Sequence, residues 1–403
     1  MAPPQKKSSR QSAPTTILAL GDDLLREIFL RLPSLPTLVR AALACPAFLR
    51  SVRSSPAFRR RFSDLHSPTI LGAFLVDDDT PMSTFAPVRL PGRRSDPDHA
   101  AALRGLDVFF TRLPDAIDED EDEGWSMLGC RDGYVLLVTP RCNTKKVAVY
   151  DPLAGALHLF PGPPDEVFSG DPEYTEAEFH MIPSEADDRS FRVLCVPKED
   201  GGKQIAVFSP NTMEWQISPT PWSLQDAGNV ELVRNGLVYW ASSDQDEDQD
   251  DDHYIPVLDT ATLQFSQTHL PIGPSGVLGE TNDGKLCLAR MHYDNLELMV
   301  WVLRAGRDGV DKWRKNRTFQ MVDAMDKLTL NIIDECPSLN VVTIDRGVVY
   351  LTIHQKEPPN WLLSFCIETR ELQKLCRITR SEFCYPYIMA WPPSLVRNKA
   401  GAA

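Results

Sequence analysis

This chain has no apolar run longer than a strand. Stretches such as Tyr134 to Val138 fall far short of the roughly 20 apolar residues that cross a bilayer, so no membrane span is expected. The N-terminus carries Lys6, Lys7 and Arg10, but the apolar stretch after it is broken by Gly21, Asp22 and Asp23, so it lacks a secretory core and the chain is expected in the cytosol or nucleus. The nine cysteines include no pair at two-residue spacing, and their odd count fits poorly with a full disulfide framework, so they read as reduced, mostly buried thiols. The eight histidines do not pair at two-to-four-residue spacing, so no zinc cluster is written locally and no metal or cofactor is expected. A surplus of basic charge is also missing: the net charge is -14, which disfavours nucleic acid as a partner. The triplet Arg59, Arg60 and Arg61 is read as a solvated helix face. There is no Gly-x-Ser-x-Gly elbow, no phosphate-cradling loop and no His-Glu-x-x-His, so no enzyme signature is present, although a site assembled across distant segments would leave none.

What is there is ordinary globular material, with 42% hydrophobic and 24% charged residues in 403, long enough for two unequal parts. Residues 1–16, rich in Pro, Ser, Gln and Lys, have too little apolar content to fold and read as a disordered tail. From Asp22 the apolar residues Leu24, Leu25, Ile28, Phe29 and Leu32 form one stripe at the 3.6-residue helical period. Asp22 is the expected N-cap, and Pro33 is expected to stop this helix at Leu32. A second pattern, Leu38, Val39, Ala42 and Leu43, follows Ser34 and Pro36, and a third runs through Phe48, Leu49, Val52, Phe58 and Phe62. Three short helices over residues 17–66 bury little alone and depend on a neighbour for stability.

Near Pro68 the period changes to that of strands. Strands are expected at 134–138, 146–150, 191–196, 205–208, 237–240, 254–258, 286–290, 298–303, 341–344, 348–353 and 362–367. Asp132-Gly133, Asn235-Gly236 and Asp283-Gly284 are dipeptides that supply positive φ in type I′ hairpin turns. The units repeat loosely: "RDGYVLLV", "RNGLVYWA", "NDGKLCLA" and "DRGVVYLT" each open one, and turns such as "VYDPLAG" or "FSPNTME" follow. Glycines 133, 236, 284 and 347 lie one or two multiples of roughly 50 residues apart, about the length of a propeller blade. The expected fold class is therefore α+β multidomain: three helices, then an all-β propeller-like domain over 68–397, with acidic insertions at 118–123 and 244–252. Lacking a turn glycine at the sixth position followed by a terminal glutamate, these insertions read as solvated loops rather than calcium sites.

The helical stretch resembles the F-box. "LGDDLLREIFLRLP" carries the Ile28-Phe29 pair and the Leu32-Pro33 stop, followed by Leu38 and Ala44-Cys45. It departs at Gly21, where the motif has proline, at Phe48, where it has tryptophan, and at Pro46, where it has a basic residue. The remainder, including "YPYIMAWPPSL" from Tyr385, resembles the F-box-associated β-propeller of plant F-box proteins. Kelch pairing appears once, at Gly201-Gly202, and the Trp-Asp dipeptide of WD repeats is missing. The resemblance implies a non-catalytic substrate receptor of a Skp, cullin, F-box ubiquitin ligase. Its F-box would bind the Skp adaptor, and through it a cullin, while the propeller recruits an unknown substrate protein. The adaptor-binding residues it implies are Leu20, Leu24, Leu25, Ile28, Phe29, Leu32, Pro33, Leu38, Leu43 and Cys45.

Two other readings stand beside it. The helical stripe fits a core face packed on the larger domain, and Cys45 fits buried filler. Trp215, Trp222, Trp240 and Trp301 fit either a carbohydrate pocket of a propeller lectin or hydrolase, or packing between sheets. A degenerate F-box protein acting outside a ligase is the third function class.

Overall fold

The computed structural model describes residues 20–77, 80–89, 96–115, 124–139, 146–168, 177–183, 191–198, 204–220, 230–234, 236–240, 254–271, 276–292, 296–306, 311–326, 337–356, 358–379 and 383–396, together with 17 and 328. The expected N-terminal tail and both acidic insertions lie outside the described residues.

Four helices open the chain: α1 (Asp22–Phe29), α2 (Leu35–Leu43), α3 (Pro46–Arg53) and α4 (Pro56–Leu65). The third helical pattern is thus split in two. Proline disfavours a helical residue before it, and Ser55 accordingly sits in extended backbone, where its hydroxyl caps α4 by accepting from the Phe58 amide at 3.1 Å. Ser34 caps α2 through the Thr37 amide. The first cap differs from expectation: Gly21, not Asp22, is the N-cap of α1, and Asp22 and Asp23 instead place negative charge in its first turn, where the helix dipole favours it. The helix also ends at Phe29 rather than Leu32, its last carbonyls being taken by Leu30, Arg31 and Leu32 amides in a tightening turn.

The strands follow in chain order: β1 (Ile70–Asp77), β2 (Thr80–Pro87), then α5 (Pro97–Gly105), β3 (Ser126–Arg131), β4 (Tyr134–Val138), β5 (Lys146–Asp151) and β6 (Ala156–Pro161). Next come β7 (Ala177–Pro183), β8 (Phe191–Pro197), β9 (Gln204–Ser209), β10 (Glu214–Pro219), β11 (Val230–Arg234), β12 (Leu237–Trp240), β13 (Tyr254–Asp259) and β14 (Gln264–His269). The last are β15 (Val277–Glu280), β16 (Leu286–His292), β17 (Glu297–Ala305), β18 (Asp311–Gln320), α6 (Met321–Asp326), β19 (Ser338–Asp345), β20 (Val348–His354), β21 (Asn360–Cys366), β22 (Leu372–Ile378) and β23 (Phe383–Ile388). Every strand expected from the sequence is present. Those it missed include the polar outer strands, such as β14 "QFSQTH" and β18 "DKWRKNRTFQ", whose exposed faces carry no apolar alternation.

Among the described residues, β3–β6, β7–β10 and β11–β14 form separate four-stranded antiparallel sheets. β15–β18 and β19–β22 are two further groups of four, joined into one eight-stranded sheet by a single parallel bridge from Gly279 to Ile344. The sixth group, β2-β1-β23, combines the two ends of the β region: Phe74 pairs with Tyr385 and Ala73 with Pro386. The ring is therefore closed by hydrogen bonds between the first strand after the helices and the last strand of the chain.

A blade is apolar on both faces because each face meets a different neighbour. Along β8, Val193 and Cys195 pack toward β3–β6, while Leu194 and Val196 pack toward β11–β14. That division explains why these strands read as continuous apolar runs rather than alternating ones. The hairpin turns follow suit. Asp132-Gly133 and Arg346-Gly347 each have positive φ at both residues, as a type I′ turn requires. Asp283-Gly284 does not: only Gly284 is left-handed, and Thr281 and Lys285 bracket a three-residue loop in which Gly284 donates to Thr281. That is a type I turn with a glycine bulge.

The helices share one core with the closing group and the first group. Leu25, Phe29, Leu38, Val52, Phe58 and Phe62 belong to the same buried cluster as Phe74, Val135, Tyr150, Tyr387 and Leu395. They sit at the ring end that carries the β3–β4, β15–β16 and β19–β20 turns. Tyr387 donates to the Gly133 carbonyl at 3.0 Å, Asn282 donates to the Asp64 carbonyl at 3.3 Å, and Arg346 lines the junction beside Phe62 and His66.

Candidate functional site

The helical unit is built so that α1 has two different apolar sides. Leu25 and Phe29, each 3% exposed, point into the shared core. Leu24 and Ile28, one turn apart on the outer side, remain 58% and 41% exposed. Of the remaining residues implied by the motif, Leu38 is fully buried, Leu20 and Leu32 are half-buried against the same core, and Pro33 and Leu43 are exposed. Cys45 is half-buried with a free thiol and forms the N-cap of α3. The structure thus divides the ten: Leu25, Phe29 and Leu38 hold the unit together, and Leu24, Ile28, Pro33 and Leu43 present apolar surface. Phe48, in the position where the motif has tryptophan, packs edge-on against Phe29 with ring centroids 5.4 Å apart.

Polar contacts fix the orientation of α1. Arg26 donates from Nε to the Ser51 carbonyl at 3.1 Å and from Nη2 to Ser54 Oγ at 3.2 Å, and it pairs with Asp23 at 3.1 Å. Arg61 pairs with Glu27 at 2.6 Å, which ties α4 to α1. The expectation of a solvated triplet fails at Arg59, which is buried and donates to the Arg53 carbonyl at 3.2 Å; the short α3–α4 turn folds it inward. A tie invisible in the sequence runs from α2 to α5: Arg40 pairs with Asp98 at 2.8 Å, and Ser34 donates to Asp96 at 2.5 Å. Burial pushes the Asp96 carboxyl up, but hydrogen bonds from Ser34, Asp98, His99 and Thr37 outweigh it and hold the group below the usual carboxylate range.

Away from the helices, Glu178 near the start of β7 meets His180 at 3.2 Å and Lys198 at 2.8 Å. Burial raises its pKa, but these two partners outweigh burial and bring it down to about 2. The three described tryptophans of the four do not assemble into a pocket. Trp240 and Trp301 are buried in different seams of the ring, Trp215 donates to the Pro161 carbonyl at 3.0 Å against a third, and Trp222 lies outside the described residues. Among the described residues no cluster of three His, Cys, Asp or Glu side chains is placed to hold a metal, and no helix is long and apolar enough to cross a membrane.

A comparison with curated proteins finds no match. Among solved structures, the chain is similar to a chain of a nidogen/laminin complex, at 10% identity over 78% of this chain and 96% of that one, with a TM-score of 0.37. It is similar to a quinoprotein alcohol dehydrogenase-like protein from Bacteroides thetaiotaomicron, at 10% identity over 81% and 79% of the two chains, with a TM-score of 0.41. It is also similar to a post-proline cleaving enzyme from Rickettsia typhi, at 10% identity over 90% of this chain and 58% of that one, with a TM-score of 0.37. The family described as F-box protein AT5G49610-like, beta-propeller, matches residues 126–395, from the first strand of the first complete blade to the turn that packs on α3. With the helical unit preceding that span, this chain belongs to the F-box protein AT5G49610-like β-propeller family.

Proposed function

We propose that this chain is the substrate receptor of a Skp, cullin, F-box type ubiquitin ligase. The observation that carries the reading is the two-sided α1: Leu25 and Phe29 are buried in the core that the helices share with the closing group, while Leu24 and Ile28 stay exposed on the outer side. Exposed apolar side chains held on a rigid helix suit a protein interface. The adaptor would bind there and connect the chain to a cullin, and the ring would hold an unidentified substrate protein. No bond is made or broken by this chain in that role. It raises the effective concentration of substrate near a ubiquitin-loaded enzyme by holding both in one assembly. The compartment that suits this role is the cytosol or nucleus.

Co-purification of the full chain with recombinant Skp adaptor and cullin tests the reading. The wild type is expected to retain both, and Ile28→Asp to lose both, because an unpaired carboxylate in an apolar interface costs several kcal/mol. Retention of the adaptor without the cullin would instead favour the degenerate F-box reading, and failure to bind the adaptor at all would overturn the proposal.

A further inference from the structure

Phe109 is 79% exposed, more than any other large apolar side chain among the described residues. Its neighbour Phe110 is buried, stacked on Phe74 at 5.5 Å and set edge-on to Tyr150 at 5.5 Å. Phe110 has φ +51°, a left-handed conformation that a bulky residue keeps only where its surroundings over-determine it. Those surroundings are visible. The Asp107 carboxylate accepts from the Thr111 amide at 2.9 Å, from the Thr111 hydroxyl at 2.8 Å and from the Tyr150 hydroxyl. The Asp107 amide donates to the Pro152 carbonyl at 2.9 Å, and the Arg112 guanidinium lies against Gly155. Strain, anchoring and hydrogen bonding thus combine to hold a loop that presents a phenylalanine to solvent. The backbone that presents it is pre-organised for a partner, since the entropy of ordering the loop is not lost on binding.

The position of the loop says which partner. Pro152 and Gly155 lie in the β5–β6 turn, which antiparallel pairing places at the same end of its sheet as the β3–β4 turn. Helix α4 lies at that end, since Gly133 of the β3–β4 turn approaches Ala390 and the adjacent Trp391 meets Phe62 of α4 edge-on. Moreover, α5 leads directly into the loop and is joined to α2 by the Arg40–Asp98 and Ser34–Asp96 contacts, so α2, α5 and the loop form one uninterrupted run of elements there. We propose that Phe109 is a second anchor for the adaptor protein, outside the helical unit, gripping an apolar pocket on the protein that docks on the exposed side of α1 and α2. This rests on the adaptor-binding reading above.

The test uses the full chain and recombinant Skp adaptor. Affinity is measured for the wild type, Phe109→Ala, Phe109→Asp and Ile28→Asp, with thermal melting as a fold control, and a photo-reactive phenylalanine analogue is placed at position 109. The proposal expects Phe109→Ala to weaken adaptor binding by about tenfold or more, as truncation of an aromatic anchor does, with melting unchanged and a crosslink from position 109 to the adaptor. Unchanged affinity in both Phe109 variants, together with loss of binding in Ile28→Asp, would overturn the second anchor and leave the adaptor reading standing. Lack of any adaptor binding by the wild type would overturn both. A crosslink from position 109 to a recruited substrate, with adaptor affinity unchanged, would assign the loop to the substrate and overturn the proposal.

Discussion

The Trp391 indole donates to the hydroxyl of Ser63 at 3.3 Å while its ring meets Phe62 edge-on at 5.7 Å. One side chain from the last turns of the chain thereby clasps the fourth helix. Around it, Met389 donates to the Thr69 carbonyl at 2.8 Å and Leu395 is fully buried in the core that holds Leu38 and Val52. The C-terminal segment therefore closes the ring and seats the helical unit at once, and the helices are held in a fixed orientation to the blades.

Removal of residues 1–66 is expected to destabilise the ring, because Leu71, Phe74, Tyr387 and Leu395 would lose the helical partners of their shared core. Burial of a large apolar side chain contributes about 1.5–3 kcal/mol, so exposure of several lowers the melting temperature markedly. Calorimetry with a hydrophobic dye checks this; a truncated chain that melts at the parental temperature without binding dye would show the two parts to be energetically separate.

The two sides of α1 should separate folding from binding. Phe29→Asp places a carboxylate in the core and is expected to cost several kcal/mol of stability, seen as a large fall in melting temperature. Ile28→Asp, at an exposed position, is expected to stay within about 0.5 kcal/mol of wild type while losing the adaptor. Equal melting of the two variants would reverse the assignment of the buried side.

Glu178 predicts a pH dependence. Its pKa falls from 4.5 to about 2 in the folded chain, so the group is deprotonated more readily folded than unfolded. Its stabilising contribution is therefore complete above pH 4.5 and disappears as pH falls through about 2. Glu178→Gln should be less stable than wild type at pH 7, with the difference shrinking below pH 4.5. Denaturant titrations of both proteins at pH 7 and pH 3 measure it, and a difference that grows on acidification would refute the sign.

Gly279 is required for close approach rather than for a turn. A Cβ there would lie 2.3 Å from Ile344 Cβ and 2.8 Å from its carbonyl oxygen, against backbone that cannot yield. Gly279→Ala is expected to cost about 1–3 kcal/mol through overpacking and to open the parallel bridge joining the β15–β18 and β19–β22 groups. Chemical denaturation reads the loss, and parental stability would show that the two groups move apart freely.

By itself the sequence determined the helical opening, the inner strands and their repeat, because these are local signals: the stripe from Leu24 to Leu32, Ser34 before α2, and apolar runs such as Tyr134 to Val138 that demand burial on both faces. Tertiary structure alone decided how those elements were used. The outer strands carried no alternation to read, because β18 meets solvent over most of its length. Ring closure joined Ile70 to Ile388, a pairing set by the return of the chain and by no local pattern. Above all, periodicity places Leu24, Leu25, Ile28 and Phe29 on one stripe but cannot say which of them a neighbour covers. Packing of α1 on α3, with Phe29 edge-on to Phe48, buried Leu25 and Phe29 in the core shared with Phe74, Tyr387 and Leu395 and left Leu24 and Ile28 outside, because burial is a property of what lies across the interface.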